Sequence, residues 1–409
     1  MKPRGLQLLG GLLLMLAACP APDTTTRYIY EPYAGPEVFP SKRALLPTVP
    51  GDLGLVSNAG DDTVTAIDLG SGKVLTTVPV GRDPVDLDGP HHIAIDRRRG
   101  FAYIALSFPQ AGSALGPHAA HGGSARLGWV QKLRLSDLAI VGEAIVESNP
   151  GDIVLSQDGT RLVVSHFDLA RAQRADAGAD TRASLIIIDP LTLGTPDQKE
   201  GVRIPVCAAP HGVLLSPPRG QEAFLACYGD DEVAVLNLDT PSAAAKRIKV
   251  SPDGRSAPTP PAFGPYALGA SPSFGSIAVA NTESKDVRFF DPRAQTMTGM
   301  AISTEGAPFF PIFSADESKL YIPTQLPDGV LVVDPKTGTT LRQRRFSEGE
   351  CRRPHEIVRG ADKSVVYLVC EGDQVSPSVV LSLDADTLAT KLSLPVGVYP
   401  DRMVIGGAP

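Results

Sequence analysis

Three histidines in this 409-residue chain directly follow a proline that opens a short apolar run, at Pro90-His91, Pro210-His211 and Pro354-His355. His92 adjoins the first, His166 ends a short apolar run, and His118 and His121 lie in a glycine-rich stretch, which completes the seven. Neutral imidazoles gathered beside a carboxylate are ligands for copper, zinc or iron. The equivalent post-proline positions elsewhere are Gly151, Tyr266, Phe309 and Asp401. A ring of such positions reads His91, Gly151, His211, Tyr266, Phe309, His355 and Asp401, with Arg402 next to the last. His91, His211, His355 and His166 are the candidate metal ligands, for copper or zinc. Tyr266, Asp401 and Arg402 join the three post-proline histidines as candidate ligand-binding residues. A Pro-His step serves equally well as a strand cap, with imidazole on a neighbouring carbonyl, and His118 and His121 read equally as solvated loop residues. Three uses remain open at this level: a cap, a metal site and a site for a small polar ligand.

The cysteines are more specific. Apart from Cys19 there are four, in two matching settings: Cys207 three residues before Pro210, with Cys227, and Cys351 three residues before Pro354, with Cys370. In an oxidising compartment they read as disulfides Cys207–Cys227 and Cys351–Cys370. Each closes a loop of about twenty residues, for which chain entropy suggests about 3 kcal/mol. The alternative, a Cys/His metal site, needs the thiolates kept reduced. For catalysis the signs are fewer. Asp152, Glu356 and Asp401, with Arg402, suit acid–base work but also ordinary salt bridges. No G-x-S-x-G turn, carboxylate pair or phosphate-cradling loop stands out, and no C-x-x-C-H supports covalent haem.

The elements that must position these residues repeat. A proline opens a short apolar strand at Pro90, Pro150, Pro210, Pro265, Pro308, Pro354 and Pro400, at spacings of 60, 60, 55, 43, 46 and 46 residues. A period near 45 with several strands per repeat predicts a β-propeller. Each repeat carries four strand patterns, and the third strands align as TVTAIDL, WVQKLRL, SLIIIDP, EVAVLNL, DVRFFDP, GVLVVDP and SVVLSLD. Leu53 to Asn58 matches a second strand, and its missing inner partner lies at Asp401 to Gly407. The expectation is therefore an all-β, seven-bladed propeller of four-stranded antiparallel blades, closed by the C-terminal strand entering the first blade. Its blades are 53–84 with 401–407, then 85–150, 151–210, 211–265, 266–308, 309–354 and 355–400. The loop entering strand one and the loop after strand two leave a blade on the same face, so all seven histidines map to one rim. Insertions at 110–128, 168–182 and 252–265 widen that rim.

The ends and composition set the compartment. Lys2 and Arg4 precede an apolar stretch from Leu6 to Leu16, too short to span a bilayer. Leu16-Ala17-Ala18-Cys19 resembles the lipobox of bacterial lipoproteins, which implies a signal peptide over 1–19 and acylation of Cys19. Pro20 is not the aspartate of an inner-membrane retention signal, so an outer-membrane anchor in the cell envelope is expected. Residues 20–50, rich in Pro, Thr and Tyr, read as a tether to a 51–409 propeller. Net charge is −7 with scattered Lys and Arg, which argues against nucleic acid as a partner.

With these strands in view, the chain resembles the YncE-like, or YVTN-repeat, seven-bladed propellers. The eponymous stretch is degraded to Leu55-Val56-Ser57-Asn58, Ile277 to Asn281 and Tyr321-Ile322-Pro323-Thr324. The resemblance implies a fold and leaves function open, since such propellers host many functions. Two expectations follow. One is a non-catalytic binding or scaffold lipoprotein whose histidine-bearing rim takes a ligand, a metal or an envelope protein. The other is a propeller enzyme or redox accessory, either a lactonase-like hydrolase or a metal-dependent oxidoreductase subunit.

Overall fold

A computed structural model describes residues 39–40, 42–49, 51–109, 119–174, 180–251 and 261–406. Cys19, most of the expected tether and His118 lie outside these residues.

Seven antiparallel sheets account for the strands. Blade two runs Pro90–Asp96, Phe101–Leu106, Leu127–Arg134 and Ile140–Ser148 from the inside outward, and blades three, four, five and seven repeat that order. Blade six differs at its inner strand, which is split into Ala307–Pro308 and Ile312–Phe313. Pro311 lies in the gap, where a residue with no N–H cannot extend the ladder. Blade one is composite. Its inner strand is Pro400–Gly406, followed by Leu53–Asn58, Thr63–Asp68 and Lys73–Pro79. Gly406 pairs with Leu53 and Pro400 with Asn58, so the C-terminal strand closes the ring along the whole of its partner.

Alternation within the strands explains why no blade stands alone. In the second strand of blade four, Ala223, Leu225 and Cys227 pack against blade three, while Phe224 and Ala226 pack against blade five. The buried residues fall into seven clusters, one between each pair of neighbouring blades. The seventh joins Tyr367, Val369 and Leu394 of blade seven to Val56, Ile67 and Met403 of blade one. A sheet apolar on both faces must find a partner on each side, and a closed ring supplies both.

The two disulfides are Cys207–Cys227 and Cys351–Cys370, with Cα atoms 5.9 and 5.3 Å apart. The first ties the outer strand of blade three to blade four, and the second ties the connection from blade six to blade seven. Part of the stretch read as tether lies on the domain. Leu46 and Val49 pack against the cluster between blades one and two, and Arg43 donates to the carbonyl of Leu138 at 3.2 Å.

A pair of aspartates sets the approach to His91. Asp62, at φ 54°, accepts the amides of Asp88 and Gly89, while Asp88 accepts the amide of Asp83 at 2.8 Å. Burial pushes the Asp62 carboxyl up to about 7 and the Asp88 carboxyl up to about 6. A carboxyl whose folded pKa exceeds its unfolded value takes up a proton on folding. Its stabilising effect is full below about pH 4 and is lost as pH rises towards 7. Asp62→Asn keeps an acceptor at a position with positive φ. It is expected to give a shallower fall in stability between pH 5 and 8 than the parent chain, measured by urea denaturation. Identical slopes would refute this assignment.

Candidate functional site

The inner strands meet at the axis through a repeated backbone irregularity. In blade two, Pro90 pairs with Leu106 and Ile93 with Ile104, so one residue is extra on the inner strand. The same bulge follows Pro150, Pro210, Pro265, Pro354 and Pro400. The residue before each of these prolines has a positive φ: Gly89 (61°), Asn149 (56°), Ala209 (47°), Gly264 (62°), Arg353 (54°) and Tyr399 (51°). For Ala209, Arg353 and Tyr399 this conformation is unfavourable, and repeated strain of this kind is held by its surroundings. A bulge breaks the two-residue alternation and re-aims side chains. Two consecutive residues, the post-proline residue and the next, therefore both reach the axis.

The first layer holds the post-proline residues. His91 Nε2 lies 2.7 Å from Asp401 Oδ2 and its Nδ1 bonds the Pro150 carbonyl at 3.1 Å. His355 Nδ1 bonds the Asp401 carbonyl at 2.7 Å and lies 3.1 Å from Asp401 Oδ1. His211 stacks on Tyr266 with centroids 3.9 Å apart, and Tyr266, Phe309 and His355 follow edge to face or tilted at 5.3 and 5.2 Å. Gly151 sits where a Cβ would come 3.3 Å from the His211 ring. The second layer is ionic. His92 Nδ1 lies 2.8 Å from Asp152 Oδ1. Arg402 reaches Asp152 at 3.4 Å and Glu356 at 3.1 Å, with its guanidinium 4.6 Å above the Phe310 ring. Asp152 and Glu356 also accept the amides of Val213 and Met403 in the next blades, at 3.1 and 2.7 Å.

The histidine-bearing rim expected to take a ligand is filled. His91, His92, His211, His355, Tyr266 and Asp401 are all 0% exposed. The aromatic rings close the bore, and the insertions add a cover. Short helices Ala119–Gly122 and Leu169–Ala172 touch where Gly122 meets Leu169, and they bring His121 onto His91 at a ring spacing of 4.3 Å. His121 is buried, with Nδ1 2.6 Å from Ser107 Oγ.

Burial decides the protonation states. His92 is held well below the usual imidazole range by burial, reinforced by the neighbouring His91, Arg402, His211 and His355. It is therefore a neutral ring that donates Nδ1–H to Asp152 and turns the Nε2 lone pair inward. Burial raises Asp152 and lifts Glu356 to about 7, against the pull of Arg402. Burial disfavours charge on Arg402, but Asp152, Glu356 and Asp401 outweigh it and keep the guanidinium protonated. Tyr266 is held well above its ordinary value by burial, then by Asp401.

Among the described residues, three sets of buried donors have ligand atoms within 4.8 Å of one another: His91, His92 and His211; His91, His121 and Asp401; His355, Glu371 and Asp401. His166 belongs to none of them. Its Nδ1 donates to the Ser184 carbonyl at 2.7 Å beside Glu147, and burial pushes it down to about 4. The cause is alternation. The preceding Ser165 turns towards blade four and donates to the His211 carbonyl, so His166 faces the opposite way, towards Glu147 of blade two. The candidate ligand set therefore loses His166. It gains Asp401, expected only as a ligand-binding residue, together with His92 beside the first Pro-His step, His121 in the glycine-rich stretch and Glu371 after Cys370. The sequence had already put His92 and His121 on the rim with the other histidines, whereas Glu371 was marked only by its place after Cys370.

No family model and no curated protein matches the chain. Among solved structures it is similar to the periplasmic gluconolactonase PpgL of Pseudomonas aeruginosa, with a TM-score of 0.63 and 18% identity over 88% of this chain and 100% of that one. A 6-phosphogluconolactonase candidate from Bacteroides uniformis gives a TM-score of 0.62 and 13% identity over 87% and 100%. The dihydro-heme d1 dehydrogenase NirN in complex with DHE gives 0.56 and 18% over 89% and 77%. At such identities the likeness is one of fold: a seven-bladed propeller whose neighbours include lactonase-like propellers.

Proposed function

We propose that this chain is a YncE-like envelope lipoprotein, acylated at Cys19 and held to the outer membrane, whose non-catalytic propeller binds a divalent transition metal on its axis. Copper and zinc are the ions that three imidazoles favour. One observation carries the reading: His91, His92 and His211 bring ring nitrogens within 4.8 Å of one another in a fully buried setting. His92 has the orientation of a metal-binding histidine, with its other nitrogen on a carboxylate. Asp152 thereby selects the tautomer, and burial keeps the ring neutral and ligand-competent. The disulfides that flank His211 and His355 suit an oxidising envelope and fix the backbone that presents both rings.

The test is metal content of protein purified without chelator, then titrated with zinc and with copper. At least stoichiometric binding is expected, weakened about 100-fold or more by His92→Ala and about 10- to 100-fold by Asp152→Asn. Sub-stoichiometric metal that persists after titration with both ions would contradict the reading. A lactonase-like hydrolase is the second reading, favoured by the near-neutral Glu356 beside Arg402 and by the fold likeness to PpgL. It requires a substrate to reach side chains that are buried, and lactone hydrolysis abolished by His211→Ala would establish it.

A further inference from the structure

We propose that the axial cluster holds two metal ions, with the Asp401 carboxylate spanning them. This inference rests on the metal reading above and deepens it. The buried donors form two triads with no residue in common, His91 with His92 and His211, and His355 with Glu371 and Asp401. The third set, His91 with His121 and Asp401, takes one member from each triad, so the two are immediate neighbours. Asp401 faces both of them. Its Oδ2 is 2.7 Å from His91 Nε2, and its Oδ1 is 3.1 Å from His355 Nδ1. A carboxylate placed in this way offers one oxygen to each ion of a pair, the arrangement found where two metals sit about 3.5–4 Å apart.

The two triads differ in chemistry. Three imidazoles suit copper or zinc, whereas one imidazole with two carboxylates is a harder set that also suits iron(II) or manganese(II). Glu371 is oriented for a ligand role, since its two oxygens accept from the side-chain amides of Gln325 at 3.0 Å and Gln374 at 2.9 Å.

The experiment uses the full chain loaded with copper(II), with metal counted by mass spectrometry and spin state read by electron paramagnetic resonance. The expected result is two coppers per chain and a spin-coupled pair, seen as lost integrated intensity with a half-field line. Glu371→Gln keeps the acceptor for Gln325 and is expected to bind one copper with a full, uncoupled signal. His92→Gln is expected to retain one copper as well. A single uncoupled copper in the parent chain, unchanged by Glu371→Gln, would overturn the two-ion site and leave the metal reading intact. No bound copper at all would overturn both. The count and the coupling in the parent chain decide the matter even if a variant fails to fold.

Discussion

Removing the C-terminal strand by truncation after Tyr399 is expected to abolish the cooperative thermal transition of the whole domain. Pro400–Gly406 pairs with Leu53–Asn58 along its whole length apart from the bulge at Asp401, and every residue of that partner strand is buried. Met403 is buried against Val56, Ile67 and Tyr367, with Ile405 at the border of the same cluster and Val404 at that of the next. Burying an apolar side chain of this size contributes about 1.5–3 kcal/mol. Met403 alone is thus a sizeable part of a domain's net stability of about 5–15 kcal/mol, and the half-buried Val404 and Ile405 add a smaller share. The truncation also removes Asp401 and Arg402 from the axis and leaves an unpaired strand edge that invites aggregation. Circular dichroism against temperature, with size-exclusion chromatography, reads the outcome. A truncated chain that stays monomeric and melts within a few degrees of the parent would show that closure contributes little.

The second large effect is expected from Arg402→Met. The guanidinium is the cation between Asp152 and Glu356, and its side chain is 18% exposed. Removing one partner of a buried ion pair costs about 3–5 kcal/mol, because the other charge is left uncompensated. The residual exposure places the expected loss near the lower end, about 3 kcal/mol at pH 8. Burial already lifts Glu356 to about 7, and loss of Arg402 lifts it further. Protonation then relieves the stranded carboxylate, so the penalty should shrink as pH falls towards 5.5. Urea denaturation of both proteins at pH 8 and pH 5.5 measures this. A penalty under about 0.5 kcal/mol, or one independent of pH, would contradict the role given to Arg402.

Much of the scaffold was legible in the chain because a propeller repeats itself. Six of the seven repeated prolines mark the start of an inner strand, Pro308 instead ending the first piece of a split one, and the orphan second strand at Leu53–Asn58 required its partner at the far end. The cysteines were legible for a related reason: Cys207 and Cys351 hold the same place relative to Pro210 and Pro354, so pairing with Cys227 and Cys370 follows from one geometry. The site was only partly legible. Strand alternation says that His91 and His92 face opposite sides, yet the bulge after Pro90 turns both inward. Nothing local in the sequence announces a bulge that comes from positive φ at residues as different as Ala209, Arg353 and Tyr399. His121 reached the cluster through an insertion whose fold depends on Leu169, 48 positions away in the chain. His166 failed to reach it because an unbulged strand keeps its alternation. Burial of the whole cluster comes from Tyr266, Phe309 and Phe310 meeting across the bore, a property of the closed ring and of no single repeat.

The most direct measurement is anomalous diffraction from crystals of the zinc- or copper-loaded protein, collected at the absorption edge of the ion. Expected is a peak on the propeller axis about 2.0–2.1 Å from His92 Nε2, with His91 and His211 completing the coordination. An axis without anomalous density at saturating metal, or density confined to surface residues, would show that these buried imidazoles brace the ring and bind nothing.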